Sequence, residues 1–273
     1  MNSKNINEKH EKDMARIRGL CLIDDEFMSK VFEDKECAEV LLRAILKKRD
    51  LKVTDVRVQY DIKNLQGRSI RLDILAEDEA GKLYNVEVQR NNHGAAPKRA
   101  RYNSSLLDAN ITDAGEDYKN LAETYVIFIT ENDIFNAGKP LYHVERMVKE
   151  TKKSFGDEAH IIYVNSQIQN NSELGRLMHD FYCQEPKNIK NRTIKKRVKF
   201  FKEDKEGVDI MCKAFDEIRY EGELIGQKKQ SIETAKKMLN AGKFSISEIA
   251  EYANLDEAYV KVLKQEDDAL KAV

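Results

Sequence analysis

The sequence has 273 residues, of which 41% are hydrophobic and 35% are charged, and its formal net charge is −1. This composition excludes a disordered chain, and the small net charge means that a nucleic acid would have to meet a local basic patch. With 3 prolines and 12 glycines, the sequence does not fit a loop-rich all-β sandwich. A chain of this length forms one large domain, or one domain with a small extension.

The cysteines and the N-terminal residues bear on the compartment. None of the four cysteines forms a CxxC pair or stands at zinc-finger spacing from a histidine, so we expect reduced thiols. The first ten residues lack the apolar core of a secretory signal. No run of about eighteen apolar residues exists that would span a membrane. We therefore expect a cytoplasmic protein without membrane association.

The chain opens with a polar segment and two helices. Residues 1–20 are mixed in charge and predict an N-terminal arm that frays. Asp24 or Asp25 is expected to cap a helix with an apolar face made of Phe27, Val31 and Phe32. For these two acids we favour capping over catalysis. A second helix is predicted from about Lys35, and the alternating residues 51–60 predict the first strand.

Residues 70–90 predict two strands joined by a polar turn around Gly81, because apolar and polar residues alternate on both sides of it. Asp73 and Glu87 are equally far from Ala80. A turn centred there places them opposite each other in an antiparallel ladder, with Cβ atoms about 4.5–5.5 Å apart. Gln89 shares the face of Glu87, since successive side chains in a strand alternate.

This arrangement has two interpretations. Two carboxylates that close repel and raise each other's pKa unless a cation lies between them, and their oxygens suit Mg²⁺. Asp73 and Glu87 therefore predict a magnesium site. The alternative is a solvated face of a hairpin, with the acids neutralised by Arg71, Lys82 and Arg90. The local pattern leaves both interpretations open.

The next segment supplies a helix and further strands. Pro97 begins a predicted helix over residues 98–110, on which Arg99 and Tyr102 share a face. Since this helix starts just beyond Gln89, Arg99 or Tyr102 is expected to point at the carboxylates. Later elements are two apolar strands, a helix between them and a helix after them, expected at residues 125–130, 160–164, 144–153 and 171–181. The order predicts a mixed sheet flanked by helices.

The composition shifts at Pro186, and residues 187–205 predict a basic amphipathic helix. One interpretation is contact with DNA phosphates through Lys195, Lys196, Arg197 and Lys199. The alternative is the solvated outer face of a docked helix. Residues 206–273 predict further helices, and those from 245 to 263 have the pattern of a helix-turn-helix with Asn254 at its left-handed turn. Their acidic surface favours protein interaction over DNA reading.

The run from Leu72 to Gln89 resembles the core of the PD-(D/E)XK nuclease-like transposase family, the Rpn-type recombination-promoting nucleases. Residues 98–102, 115–118 and the helix pair 25–46 are similar to the same family. The resemblance covers roughly residues 20–165. It implies an α/β (α+β), restriction-endonuclease-like mixed sheet flanked by helices, in a nuclease-like domain over residues 21–185. The arm at 1–20 precedes this domain, and a basic helix with a helical C-terminal region at 186–273 follows it.

The resemblance also implies an activity: a Mg²⁺-dependent endonuclease that hydrolyses DNA phosphodiester bonds. By position, Asp73 and Glu87 would be the metal ligands, with Gln89 where many relatives have Lys. Arg99 and Tyr102 would match the family's positions on the next helix. The chain departs from the family in lacking a proline before Asp73 and in having Asn103 in place of an aromatic residue.

Partners and rivals follow from the same resemblance. We expect DNA as the partner and Mg²⁺ as the cofactor, and we expect no organic cofactor. Whether the protein forms a homodimer is left open. Gln89 is neutral, so it orients a water but does not stabilise hydroxide as Lys would. The rival hypotheses are therefore a catalytically weak or inactive DNA-binding protein, or a protein-interaction module, that kept the nuclease fold.

Overall fold

The computed structural model describes residues 3–64, 67–90 and 92–271. The described helices are α1 Ser3–Gly19, α2 Asp25–Phe32, α3 Lys35–Leu46, α4 Pro97–Ile111, α5 Glu173–Phe181, α6 Arg192–Glu203, α7 Lys205–Ala241, α8 Ile246–Ala253 and α9 Glu257–Lys271. The described strands are β1 Val53–Ile62, β2 Ile70–Asp78, β3 Leu83–Gln89, β4 Thr124–Thr130, β5 Leu141–Val144, β6 Met147–Val148, β7 Lys153–Ser154 and β8 Ala159–Asn165. In the described part of the chain, no helix is long and apolar enough to cross a bilayer.

A six-stranded mixed sheet organises the first part of the chain, with the order β1-β2-β3-β4-β8-β5. Strand β2 pairs antiparallel with both β1 and β3. Strands β3, β4 and β8 pair in parallel, and β5 pairs antiparallel with β8. Every residue of β4 is buried, as its continuous apolar run predicts for a central strand. The predicted fold class, a mixed α/β sheet flanked by helices, is confirmed.

The turn between β2 and β3 fixes how these strands pair. Asp78 accepts hydrogen bonds at Oδ1 from the backbone N–H groups of Ala80 and Lys82, at 2.9 and 3.0 Å. Its Oδ2 accepts from the Tyr84 hydroxyl at 2.7 Å. Gly81 adopts a φ of 74°, which costs glycine little. The turn is therefore centred at Ala80, and the predicted register holds.

Two segments differ from the predictions made for them. Most of the polar arm expected at residues 1–20 is the helix α1, whose last turns bury Asp13 and Ile17; residues 1 and 2 lie outside the described part. The prediction of a helix near residues 144–153 is wrong. Those residues form the end of β5 and a small hairpin of β6 with β7, in which Lys152 has a left-handed φ of 58°.

The basic helix α6 is held to the first part of the chain by a buried lysine. The ammonium group of Lys202, which is 7% exposed, donates to the carbonyl oxygens of Arg18, Leu20 and Gln184 at 3.0, 2.5 and 2.6 Å. The chain divides into two compact units, one ending at Val208 and the other beginning at Asp209. Helix α6 thus lies in the first unit, although its composition groups it with the C-terminal region.

The second unit is helical and has its own apolar cluster, formed by Ala235, Ile249, Ala250, Ala253, Val260 and Leu263. Asn254 ends α8 in the left-handed conformation, with φ 52° and ψ 50°, as predicted. Ser245 and Glu248 form a capping box at the start of α8. The acidic residues of this segment, Glu248, Glu251, Asp256 and Glu257, are exposed.

We predict that Lys202→Met lowers the free energy of unfolding by about 2–3 kcal/mol, because three acceptors lose a charged donor. Urea unfolding followed by circular dichroism measures the loss. Lys199→Met is the matched control, since Lys199 lies on the same helix and is exposed. Its change is expected to stay within about 0.5 kcal/mol. Equal effects of the two substitutions would contradict the anchoring role of Lys202.

Candidate active site

Asp73 and Glu87 come together where the β2–β3 ladder ends. The last paired residues are Ile74 and Val86, so one further step places Asp73 opposite Glu87. At that step the Asp73 carboxylate accepts a hydrogen bond at Oδ2 from the Val88 N–H, at 3.1 Å. Directly opposed residues of an antiparallel pair share a face. The register of the hairpin therefore agrees with the predicted one, and the two carboxylates are close enough for the Asp73 charge to raise the pKa of Glu87.

Glu87 is fully buried and paired with one cation. Its Oε2 accepts from Arg99 Nη2 at 2.8 Å, and the Arg99 guanidinium lies 6.0 Å from the centre of the Phe128 ring. Its other oxygen, Oε1, has no hydrogen-bond partner among the residues that the structure describes. A buried carboxylate oxygen without a donor is costly, so this atom is suited to a ligand.

Gln89 and Gly94 complete the surroundings of Arg99. Arg99 Nη1 donates to the carbonyl oxygen of Gly94 at 2.9 Å and to Gln89 Oε1 at 3.4 Å. A Cβ atom on Gly94 would lie 1.6 Å from Gln89 Oε1, so only glycine fits here without moving that amide. One guanidinium therefore holds the side chains of both Glu87 and Gln89.

The electrostatics of the pair point to a missing positive charge. Burial raises the pKa of Glu87 well above its ordinary value, and the nearby Asp73 charge raises it further. Burial also raises the pKa of Asp73, although the Val88 N–H and Arg99 act against this. One guanidinium does not compensate the charges of two carboxylates, of which Glu87 is buried and Asp73 is half-buried. A divalent cation would, and the donor set of carboxylate oxygens fits Mg²⁺.

The alternative of a solvated hairpin face predicts that Arg71, Lys82 and Arg90 neutralise the acids. In the structure these cations contact other carboxylates. Arg71 pairs with Asp61 at 2.8 Å, Lys82 pairs with Glu123, and Arg90 pairs with Asp24 and Glu131. The full burial of Glu87 also excludes a solvated face at that position.

Tyr102 lies on the same helix as Arg99 but has a different environment. Its hydroxyl donates to the backbone oxygen of Arg68 and accepts from the Asn64 side chain at 3.1 Å. Its ring packs against the apolar cluster that includes Leu72 and Leu106. The structure therefore brings Arg99 to Glu87, and it places Tyr102 against the connection between β1 and β2.

Asp25 is an acid near the site for which the sequence predicted only helix capping. Its charge raises the pKa of Asp73. Asp24 occupies the N-cap position of α2, but its side chain makes no cap hydrogen bond and accepts instead from Cys21 N and Arg90. No sequence pattern indicates the proximity of Asp25 to Asp73, because this proximity depends on how α2 packs on the sheet.

The cations expected to contact DNA on α6 have unequal exposure. Lys196 and Lys199 are exposed, although Lys199 lies 3.7 Å from Glu203. Lys195 is half-buried and donates to the backbone oxygen of Lys187, and Arg197 is half-buried over the Phe200 and Phe201 rings. A DNA contact by this helix stays a prediction, and Lys196 and Lys199 are the members best placed to make it.

A second group of potential metal ligands lies at the end of α5. The ligand atoms of His179, Asp180 and Cys183 are all within 4.8 Å of one another. The Asp180 carboxylate already accepts from the backbone N–H groups of Lys190 and Asn191, both at 2.8 Å. A thiol and an imidazole suit softer metals than Mg²⁺. Asp73 and Glu87 are therefore the better match to a magnesium site.

Comparison with protein families places most of the chain within a known family. Residues 27–262 match the family described as PD-(D/E)XK nuclease family transposase. Neither the curated proteins nor the solved structures include a match to the chain. The matched range contains Asp73, Glu87, Gln89 and Arg99.

We predict that Asp73→Asn stabilises the protein in EDTA at pH 8. Because the pKa of Asp73 is raised by folding, the unfolded chain releases this proton first. The loss of free energy of unfolding caused by the Asp73 charge therefore grows as the pH rises from about 3.9, the ordinary pKa of Asp, to the raised pKa of Asp73, and it is complete above that pKa. Asparagine removes the charge and keeps an oxygen for the Val88 N–H. Urea unfolding of both proteins at pH 4, 6 and 8 measures the difference.

The gain in free energy of unfolding of Asp73→Asn over the wild type is expected to increase from pH 4 to pH 8. Glu79→Gln is the control, since Glu79 lies in the same hairpin turn with an exposed side chain. It should show no such pH-dependent gain. A stability difference that is constant across the three pH values would show that Asp73 carries no buried-charge penalty.

Proposed function

The chain belongs to the PD-(D/E)XK nuclease transposase family, and from this premise we propose that it is a Mg²⁺-dependent DNA endonuclease that hydrolyses phosphodiester bonds. The observation that carries the proposal is the fully buried carboxylate of Glu87, with its Oε1 unpartnered in the described part of the chain, next to the half-buried carboxylate of Asp73. A pair with these properties is better explained by a bound divalent cation than by a structural ion pair.

Asp73 and Glu87 would hold the ion, each through a carboxylate oxygen. When bound there, Mg²⁺ supplies Lewis-acid polarisation of a phosphate oxygen and lowers the pKa of a coordinated water. The Asp73 carboxylate is oriented by the Val88 N–H, and the Glu87 carboxylate by Arg99. Both ligands are thereby fixed before substrate arrives, which is the condition for efficient electrostatic catalysis.

Arg99 has a second role beyond orienting Glu87. Its side chain is 39% exposed, whereas that of Glu87 is 0% exposed, so the guanidinium extends from the buried carboxylate toward solvent. A guanidinium in this place attracts a phosphate and stabilises charge that develops on its oxygens during hydrolysis. In this proposal Arg99 supplies the positive charge that Lys provides in many relatives at the position of Gln89.

Gln89 then acts as a neutral positioning residue. Its amide oxygen accepts from Arg99, and its amide nitrogen is a donor able to orient a water. The cytoplasmic location stays a prediction from the sequence, and a homodimer stays an open possibility.

We predict that the purified protein nicks supercoiled plasmid in Mg²⁺ and that Asp73→Asn and Glu87→Gln each lower the rate by at least about 100-fold. Agarose gels give the rates. The same variants should lose the increase in melting temperature that Mg²⁺ gives the wild type, because a ligand stabilises only the state that binds it.

Glu79→Gln is the matched control for both measurements, and it should cleave and respond to Mg²⁺ like the wild type. Equal nicking by the wild type and the two site variants would remove the assignment. Salt-dependent DNA binding without turnover by the wild type would favour the rival, an inactive protein that kept the fold.

We also predict that Gln89→Lys lowers cleavage, although it restores the residue found in many relatives. A lysine here would replace the acceptor of Arg99 by a second cation and disturb the guanidinium that holds Glu87. Initial nicking rates at saturating Mg²⁺ test this, with Gln89→Met as the neutral control of similar length. A rate for Gln89→Lys above that of the wild type would contradict the role given to Arg99.

A further inference from the structure

A strongly basic cavity lies beside the candidate active site, between the start of β2 and helix α4. It has a volume of about 740 Å³ and is lined by Arg68, Ser69, Ile70, Arg71, Lys98, Arg99, Arg101, Tyr102 and Asn103. Five of these residues are cations and none is an acid. The cavity therefore concentrates positive charge on a protein whose formal net charge is −1.

Much of this charge is uncompensated. Arg68, Lys98 and Arg101 are exposed, and within the described ranges no carboxylate pairs with any of them. Lys98 and Arg101 are three residues apart on α4, a spacing that places both on one face of the helix. On α6, Arg197 and Lys202 are occupied by aromatic rings and backbone oxygens. Of the exposed cations on that helix, Lys199 lies 3.7 Å from Glu203, while Arg192 and Lys196 line no basic cavity described above. The cavity is the better candidate for an anion-binding surface.

A buried amide adds an independent observation. Asn103 lines this cavity and is 1% exposed, and neither its side-chain oxygen nor its nitrogen has a partner among the described residues. An unpaired buried amide is costly, so this position favours a polar partner from outside the chain. A phosphate oxygen, or a water that bridges to one, would satisfy its N–H₂ group.

Arg99 connects the cavity to the carboxylate pair. It lines the cavity and donates to Glu87, so an anion in the cavity is in contact with the residue that orients the proposed metal ligand. A second opening near α2 contains three acids, Asp24, Asp25 and Glu26, and two arginines that pair with two of them, so its charges are largely compensated. The charge distribution thus favours a polyanion on the α4 side of the site.

We propose that this cavity holds the sugar–phosphate backbone of the DNA strand next to the scissile bond, with Arg68, Lys98 and Arg101 as phosphate contacts. The inference rests on the proposed function and deepens it. It assigns the main DNA-binding surface to the β2–α4 cavity rather than to α6. Such contacts give affinity that does not depend on base sequence and that falls as salt rises.

The experiment compares three double variants with the wild type: Arg68→Gln with Arg101→Gln, Lys196→Gln with Lys199→Gln on α6, and Lys236→Gln with Lys237→Gln on α7. All remove two exposed positive charges, so the net charge changes equally. Binding of a fluorescent duplex is measured by anisotropy in Ca²⁺ over a range of salt concentrations, and plasmid nicking is measured in Mg²⁺. Melting curves establish that each variant is folded.

For the Arg68 and Arg101 variant we expect at least about 10-fold weaker binding and a salt slope reduced by about 1.8, at about 0.9 per phosphate contact. Nicking should need a higher DNA concentration for half-maximal rate. The α6 variant should lose less, and the α7 variant should match the wild type. An Arg68 and Arg101 variant that binds like the α7 variant, or an α6 variant that loses more, would overturn the inference while the nuclease proposal stands. A wild-type protein that neither binds nor nicks DNA would overturn both.

Discussion

The ion pair between Glu87 and Arg99 is the contact on which the arrangement of this site depends. It joins a central strand of the sheet to the helix that packs over it. Removing Glu87 from water costs several kcal/mol, and a single guanidinium returns only part of that cost. The remainder is visible in an Oε1 that has no partner among the described residues and in the raised pKa values of Glu87 and Asp73. The folded protein thus disfavours two negative charges at this place, so the pair retains a proton to higher pH unless a cation takes its position.

The surrounding fold explains how such a place persists. The all-buried strand β4 and the apolar cluster that contains Val126, Phe128 and Tyr163 supply the packing that outweighs a local electrostatic cost. Asp78 fixes the turn, and the turn fixes the register of the carboxylates. The site is therefore rigid because its ligands lie on strands, and it is electrostatically incomplete because its charges are unbalanced. This combination is expected at functional sites, where stability is given up locally.

Charge is also sorted around the site. The β2–α4 cavity, which includes Arg99, is lined by cations without acids, whereas the opening near α2, which includes Gln89, is lined by acids and arginines together. The charge along the sequence does not reveal this, since the densest basic run falls on α6. Helix α6 uses Lys202 as an anchor and Arg197 as a partner for aromatic rings. The cations on α4 and the neighbouring strand are fewer, but more of their charge faces solvent.

Local sequence patterns are sufficient to predict the first three strands and the register of the hairpin that carries the two acids. Alternation of apolar and polar residues identified β1, β2 and β3, and the equal spacing of Asp73 and Glu87 from Ala80 gave the register that the structure has. These features are local: they depend on side-chain period and on turn chemistry, both encoded within about twenty residues. The prediction of a helix at residues 144–153 is wrong because strand pairing overrides local preference there: β5 pairs with β8 as far as Val144, and β6 pairs with β7.

The pairing of charged side chains, by contrast, depends on how the elements pack together in the folded protein. In the folded protein, Glu87 is completely buried and forms an ion pair with Arg99. Arg71, Lys82 and Arg90 pair with other acids, and Asp25 lies near enough to Asp73 to raise its pKa. Electrostatic energies depend on distance and on exclusion of water, and both are set by how α2 and α4 pack against the sheet. A linear sequence contains the charges but not their separations.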